Sequence, residues 1–115
     1  MSIRSYVETK SQLVEGEAAT TIALQTAKDV AEIFAAMSDP TRVRILAALI
    51  SNELNVQQIA QAIELTESAT SHQLRLLRNL HIVRTRKAGR QVFYALDDDH
   101  IRDLMQRVIE HIEHR

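Results

Sequence analysis

A mainly α-helical fold with one small β-hairpin follows from three features of the sequence. Only two Gly and one Pro interrupt 115 residues, 45% of which are apolar. Apolar residues recur at helical spacing over several stretches, the mark of amphipathic helices. One segment breaks that rhythm. Ile82-Val83-Arg84-Thr85-Arg86 and Gln91-Val92-Phe93-Tyr94-Ala95-Leu96 are β-prone runs flanking Lys87-Ala88-Gly89-Arg90, a Gly-containing turn. A helix ending just before a cationic hairpin is the layout of a winged helix-turn-helix. The length suits one domain with a modest core.

The chain then reads in order. Residues 1–20 are polar and weakly periodic, and a mobile N-terminal tail is expected there, with a frayed extra helix as the alternative; residues 21–115 form the domain. From Thr21 to Met37, the residues Ile22, Leu24, Val30, Ile33, Phe34 and Met37 make a helical stripe. Ser38-Asp39-Pro40-Thr41 stops that helix and starts another: Asp39 can cap, and Pro40 suits the first helical position, where its missing N–H is no loss. The helix from Pro40 to Ile50 buries Val43, Ile45, Leu46 and Leu49. Asn55 opens a short helix, Val56 to Ile63, carrying Ile59, Ala60 and Ile63. Glu64-Leu65-Thr66 is the turn into the helix Ser68–Leu80, with Leu74, Leu76, Leu77 and Leu80 on it and Thr66 able to cap it. Two short helices joined by such a turn make a helix-turn-helix. After the hairpin a last helix runs from about Asp97 to Glu113.

Charge is unevenly distributed. Ser68 to Leu96 carries +6 with no Asp or Glu, whereas the segments before and after carry −4 and −3, so the net charge of −1 hides one basic block. Such a block attracts a polyanion, with binding weakened by salt as condensed counterions are released; a solvated basic surface is the bland alternative. The first turns of the basic helix offer Ser68, Thr70, Ser71, His72, Gln73 and Arg75, short or planar hydrogen-bonding groups suited to base edges and phosphates in a major groove. Arg86, Lys87 and Arg90 on the hairpin are expected to reach phosphates or the minor groove. The expected partner is double-stranded DNA.

The last helix carries a second pattern. Ile101, Leu104, Met105, Val108, Ile109 and Ile112 form one stripe. At about 100° per residue, His100, His111 and His114 fall along one edge of it, and Asp98 precedes His100 by two residues. Imidazole and carboxylate suit zinc. One helix cannot close such a site, because His100 and His111 are about 16 Å apart along the axis at ~1.5 Å per residue. Two antiparallel copies can: Asp98 and His100 of one subunit then face His111 and His114 of the other, and a two-fold axis makes two such sites per homodimer. A plain dimerisation helix with a polar rim is the rival reading.

Several classes are disfavoured. The chain has no Cys, so it has no disulfide, no thiolate ligand and no Cys nucleophile. No nucleophile–base constellation or Gly-rich phosphate loop is visible, which argues against an enzyme. No run approaches a transmembrane helix in length, and the lack of a signal-peptide pattern points to the cytoplasm.

The chain resembles the ArsR/SmtB family of metal-responsive repressors. The resemblance rests on Met37-Ser38-Asp39-Pro40-Thr41-Arg42-Val43-Arg44-Ile45-Leu46, Glu53-Leu54-Asn55-Val56, Thr70-Ser71-His72-Gln73-Leu74-Arg75-Leu76-Leu77-Arg78 and Gly89-Arg90-Gln91-Val92-Phe93-Tyr94, in that order. It implies a winged-helix homodimer joined through its first and last helices. It also implies a zinc site on Asp98, His100, His111 and His114, and a metal-free dimer that binds an operator and is released by Zn(2+). The chain departs from the family where many members carry Cys-x-Cys: here Asn55-Val56-Gln57 stands, so sensing of arsenite, cadmium or lead is not expected. The reading is therefore a zinc-responsive transcriptional repressor. The alternatives are a winged-helix DNA-binding dimer with no metal response, or one sensing cobalt or nickel.

Overall fold

The computed structural model describes residues 13–15 and 19–115, which divide between Ala35 and Ala36 into two compact units. In the first, β1 (Leu13–Glu15) pairs antiparallel with β2 (Thr20–Ile22), Leu13 opposite Ile22 and Glu15 opposite Thr20. Most of the tail expected over residues 1–20 lies outside the described residues. The helix expected from Thr21 starts later, as α1 (Leu24–Ala36), because Thr20–Ile22 is taken into the strand pair. Leu24, Val30 and Phe34 on α1 are exposed.

The second unit is the winged helix-turn-helix. Helix α2 (Pro40–Ala48) begins where expected: the Asp39 side chain accepts from the Arg42 N–H at 3.0 Å, and Pro40 sits in the first turn. A two-residue strand, β3 (Leu54–Asn55), leads directly into α3 (Val56–Ile63). Asn55 and Gln58 form a reciprocal capping box at its start, which satisfies two otherwise orphan N–H groups. Helix α4 (Glu67–Asn79) is capped by Thr66, whose hydroxyl accepts from the Ala69 N–H at 3.1 Å. The wing is β4 (Val83–Ala88) and β5 (Gln91–Leu96), in register from Val83 opposite Leu96 to Ala88 opposite Gln91. The turn is narrower than expected, only Gly89 and Arg90, with Gly89 at φ +64°; a positive φ at the first of two loop residues is the type II′ pattern, where Gly meets no steric penalty. The small sheet has order β3-β5-β4.

Helix α5 (Asp99–Glu113) starts two residues later than expected because Asp98 is its N-cap, accepting from the Ile101 N–H at 3.1 Å. The core gathers Ile45, Leu46, Leu49, Ile59, Leu74, Leu77, Ile82 and Leu96, each no more than 1% exposed. Val43, expected among them, is half-buried. Among the described residues no helix is long and apolar enough to cross a membrane.

Candidate nucleic-acid interface and metal-ligand edge

Helix α4 buries Thr70, Leu74 and Leu77 along one face. With Thr70 as origin and about 100° per residue, Ser68, His72 and Arg75 lie on the opposite face, and all three are exposed. Ser71 is half-buried on the flank toward the wing. It helps line a cleft of about 410 Å³ between the start of α3, the start of α4 and the wing, together with Asn55, Gln57, Glu67, Arg90 and Gln91. Lys87 and Arg90 are exposed at the wing tip.

Three of the residues expected to face DNA are placed differently. Thr70 is fully buried, and its hydroxyl donates to the Thr66 carbonyl at 2.8 Å. It therefore does not face a groove: a hydroxyl that bonds back to the preceding turn is satisfied without solvent and can pack with Leu74 and Leu77. The spacing 70, 74, 77 was the available signal, outweighed by the polarity of the residue. Gln73 is half-buried and accepts from the Arg42 guanidinium at 3.3 Å. Arg86 is held by Glu53, at 2.9 and 3.0 Å from the same carboxylate oxygen, and its guanidinium lies 5.1 Å from the Phe93 ring centroid. The hydrogen bond from Arg86 pulls the Glu53 carboxyl below its ordinary value; slight desolvation opposes this, and the charges of Arg86 and Arg84 add to it.

Other side chains that stitch the reading unit were not expected from the sequence. Arg44 donates to the Ile63 carbonyl at the end of α3 (3.0 Å), and Arg102 to the Ile50 carbonyl beyond α2 (2.9 Å). The Asn55 side chain donates to Gln91 on the wing at 3.2 Å. The two carbonyls lie at or just beyond helix ends, which leave such groups without intrahelical partners and make long donors useful, whereas the Asn55 bond joins two side chains.

On α5 the expected ligands fall at the two ends. Asp98 Oδ2 is 3.4 Å from His100 Nδ1, and both side chains are exposed. Partial desolvation pushes the Asp98 carboxyl up, but the Ile101 N–H and His100 together outweigh it, so the net shift is downward and favours the carboxylate. His111 is exposed one turn from His114, whose Nδ1–H donates to the Glu110 carbonyl at 2.7 Å. That bond fixes the tautomer and leaves Nε2 with the free lone pair, the usual arrangement of a ligating imidazole. The donor set of one carboxylate and three imidazoles thus fits a zinc ion in chemistry. The described residues of one chain bring the four together only as two pairs, and no group of three or more His, Asp or Glu side chains converges.

The fold and the cationic reading helix define a winged helix-turn-helix domain of the DNA-binding class. The family model for "Bacterial regulatory protein, arsR family" matches residues 39–85. Over 92 residues the chain is 42% identical to the transcriptional repressor SmtB homolog of Synechocystis sp., a match that covers 80% of this chain and 70% of that protein. The solution structure of apo-NmtR superposes with a TM-score of 0.71 at 39% identity, covering 88% of this chain and 85% of that one. The homodimeric winged helix-turn-helix domain of Mb0332 from Mycobacterium bovis superposes with a TM-score of 0.72 at 26% identity, covering 79% and 88%. The chain belongs to the ArsR/SmtB family of transcriptional regulators, which are not enzymes.

Proposed function

We propose that this chain is a zinc-responsive transcriptional repressor. The metal-free homodimer holds operator DNA in the cytoplasm, and zinc binding between two copies of α5 releases it. The observation that carries the reading is the exposed Asp98–His100 pair at one end of α5, with His111 and His114 at the other. Val108 and Ile112, 51% and 48% exposed, supply an apolar seam beside that edge. The repressor named among the relatives and the homodimer among the solved structures support the same reading. Ser68, Ser71, His72 and Arg75 meet the major groove, and Lys87 and Arg90 meet the backbone or minor groove.

A bound zinc ion supplies a cross-link between subunits. Asp98 and His100 hold one side of it, and the partner copy presents the other pair. Because the ligands come from two chains, binding favours one relative position of the two α5 helices over another, and only such unequal binding can shift DNA affinity. The recognition helices must match half-sites about one DNA turn apart, so a small change in dimer geometry weakens both.

Mixed dimers test this. One subunit carries Asp98→Ala with His100→Ala, the other His111→Ala with His114→Ala. One interface site then loses all four ligands while the other stays whole, so the heterodimer should bind one zinc tightly and each homodimeric parent none. A full-affinity site in either parent overturns the bridging arrangement. His72→Ala and His81→Ala should leave zinc stoichiometry unchanged.

A further inference from the structure

We infer that Arg42 and Gln73 form a latch that sets the seating of the recognition helix, and that Gln73 positions this helix rather than reading bases. The inference rests on the DNA-binding reading above and changes the assignment of one of its residues.

The Arg42 guanidinium makes two bonds in different directions. Its Nε–H donates to the carbonyl of Ala36, the last residue of α1, and one terminal nitrogen donates to Gln73 on α4 at 3.3 Å. The backbone N–H of the same residue is taken by the Asp39 cap. Arg42 is thus fixed at both main chain and side chain, in the first turn of α2. A guanidinium has only donors, so the atom it meets on Gln73 must be the amide oxygen, and the orientation of the amide is decided. Reading adenine with Gln needs both the amide oxygen and the amide nitrogen. Here one lone pair of that oxygen is already engaged by Arg42, which holds the plane of the amide toward α2 and so works against turning both its ends to a base.

The helical wheel agrees. Gln73 lies about 60° from the buried Thr70 direction, on the flank opposite Glu67 and Ser71, which face the wing cleft. It is half-buried, whereas Ser68, His72 and Arg75 on the outer face are exposed. The geometry leaves base reading to those three, with Ser71 beside them on the flank toward the wing. A planar fork suits the latch because it spans two acceptors with little loss of side-chain freedom, which a lysine cannot do.

Two variants test the inference by titration on a specific operator duplex and on random DNA, with a thermal melt as folding control. Gln73→Glu keeps an acceptor for Arg42 but adds a negative charge. If Gln73 is the latch, operator affinity stays within about threefold. If Gln73 faces DNA, the carboxylate meets phosphates and affinity falls on the order of a hundredfold, as like-charge contacts do; that result overturns the latch. Arg42→Lys keeps the charge and removes the fork. The ratio of operator to random affinity should drop by roughly tenfold, the scale of one lost specific contact, while the salt slope on random DNA stays the same. A ratio equal to that of the unmodified chain also overturns the latch. An unmodified chain with no operator preference would instead remove the DNA reading itself.

Discussion

Helices α2, α3 and α4 bury Ile45, Leu46, Ile59, Leu74 and Leu77 to 0% exposure, whereas α5 buries only Met105 and leaves Val108 and Ile112 about half exposed. The two regions also differ in how they are tied. The reading unit is cross-stitched by Arg42, Arg44, Asn55 and the Glu53–Arg86 pair. The tertiary hydrogen bonds near α5 lie at its start, where the Asp97 N–H donates to the Ile82 carbonyl and Arg102 to Ile50. One region closes its own core, and the other keeps an apolar stripe that water does not favour and a second chain can cover. Rigidity is placed where base reading is proposed, and an open surface where the dimer is proposed to form.

The comparison is easiest to break at its centre. Leu77→Ala should lower stability by about 2–5 kcal/mol, the usual cost of a large-to-small change in a closed core, as measured by urea unfolding. Val108→Ala at low protein concentration should change it far less. A reversed order would mean that α5, not the reading unit, is the folded nucleus of the chain. Next comes the open face. Val108→Ser with Ile112→Ser should raise the dimer dissociation constant on the order of tenfold or more, since the two-fold axis counts each loss of apolar burial twice. Sedimentation equilibrium reads this directly, and an unchanged constant places the dimer contact elsewhere.

A smaller effect sharpens the picture at the wing. Glu53→Gln should free Arg86 for phosphate, raising random-DNA affinity and steepening the salt slope by about one unit. An unchanged slope means that Arg86 does not reach the backbone. Acid should act the same way. The folded-state pKa of Glu53 is depressed, so the pairing contributes to stability above its unfolded value, and the contribution is lost as pH falls through the lower folded value. An NMR titration of the Arg86 Nε–H signal follows that release. The smallest change concerns two turns. Glu64 and His81 both sit at φ 57°, in the left-handed region where a side chain is strained. Glu64→Gly and His81→Gly should each add roughly 0.5–1 kcal/mol in thermal melts. Destabilisation by either would show that its side chain contributes more than its strain removes.

Much of this was legible in the sequence, and the reasons are local. Asp39-Pro40, Asn55 and Thr66 are capping signals that act within one turn, so the starts of α2, α3 and α4 could be placed to within a residue. The hairpin was visible because Gly89 punctuates two β-prone runs. The strand β3 was not, since two residues carry no periodicity and their partners, Tyr94 and Phe93, are far along the chain. Of the DNA-facing set, Ser68, His72 and Arg75 lie where the wheel puts them. Thr70 and Gln73 do not, because hydrogen-bonding chemistry alone cannot tell a residue aimed at a ligand from one aimed at Thr66 or Arg42. The candidate ligand pairs on α5 follow from helical spacing. How two helices meet does not, because it depends on a surface that one chain leaves open.

Asn55 pairs across the sheet with Phe93, accepts the Gln58 N–H that starts α3, and donates through its side chain to Gln91. Two elements, the inner strand of the wing and the first helix of the helix-turn-helix, are therefore tied together by one residue. The same position is the one at which the family's Cys-x-Cys pattern places its first thiolate. A thiolate bound to a metal has no N–H to donate to Gln91. Position 55 is a mechanical joint in this chain, and in other members it is a chemical sensor; the two uses exclude each other, so a change of sensing chemistry here would also change how stiffly the wing follows the helices.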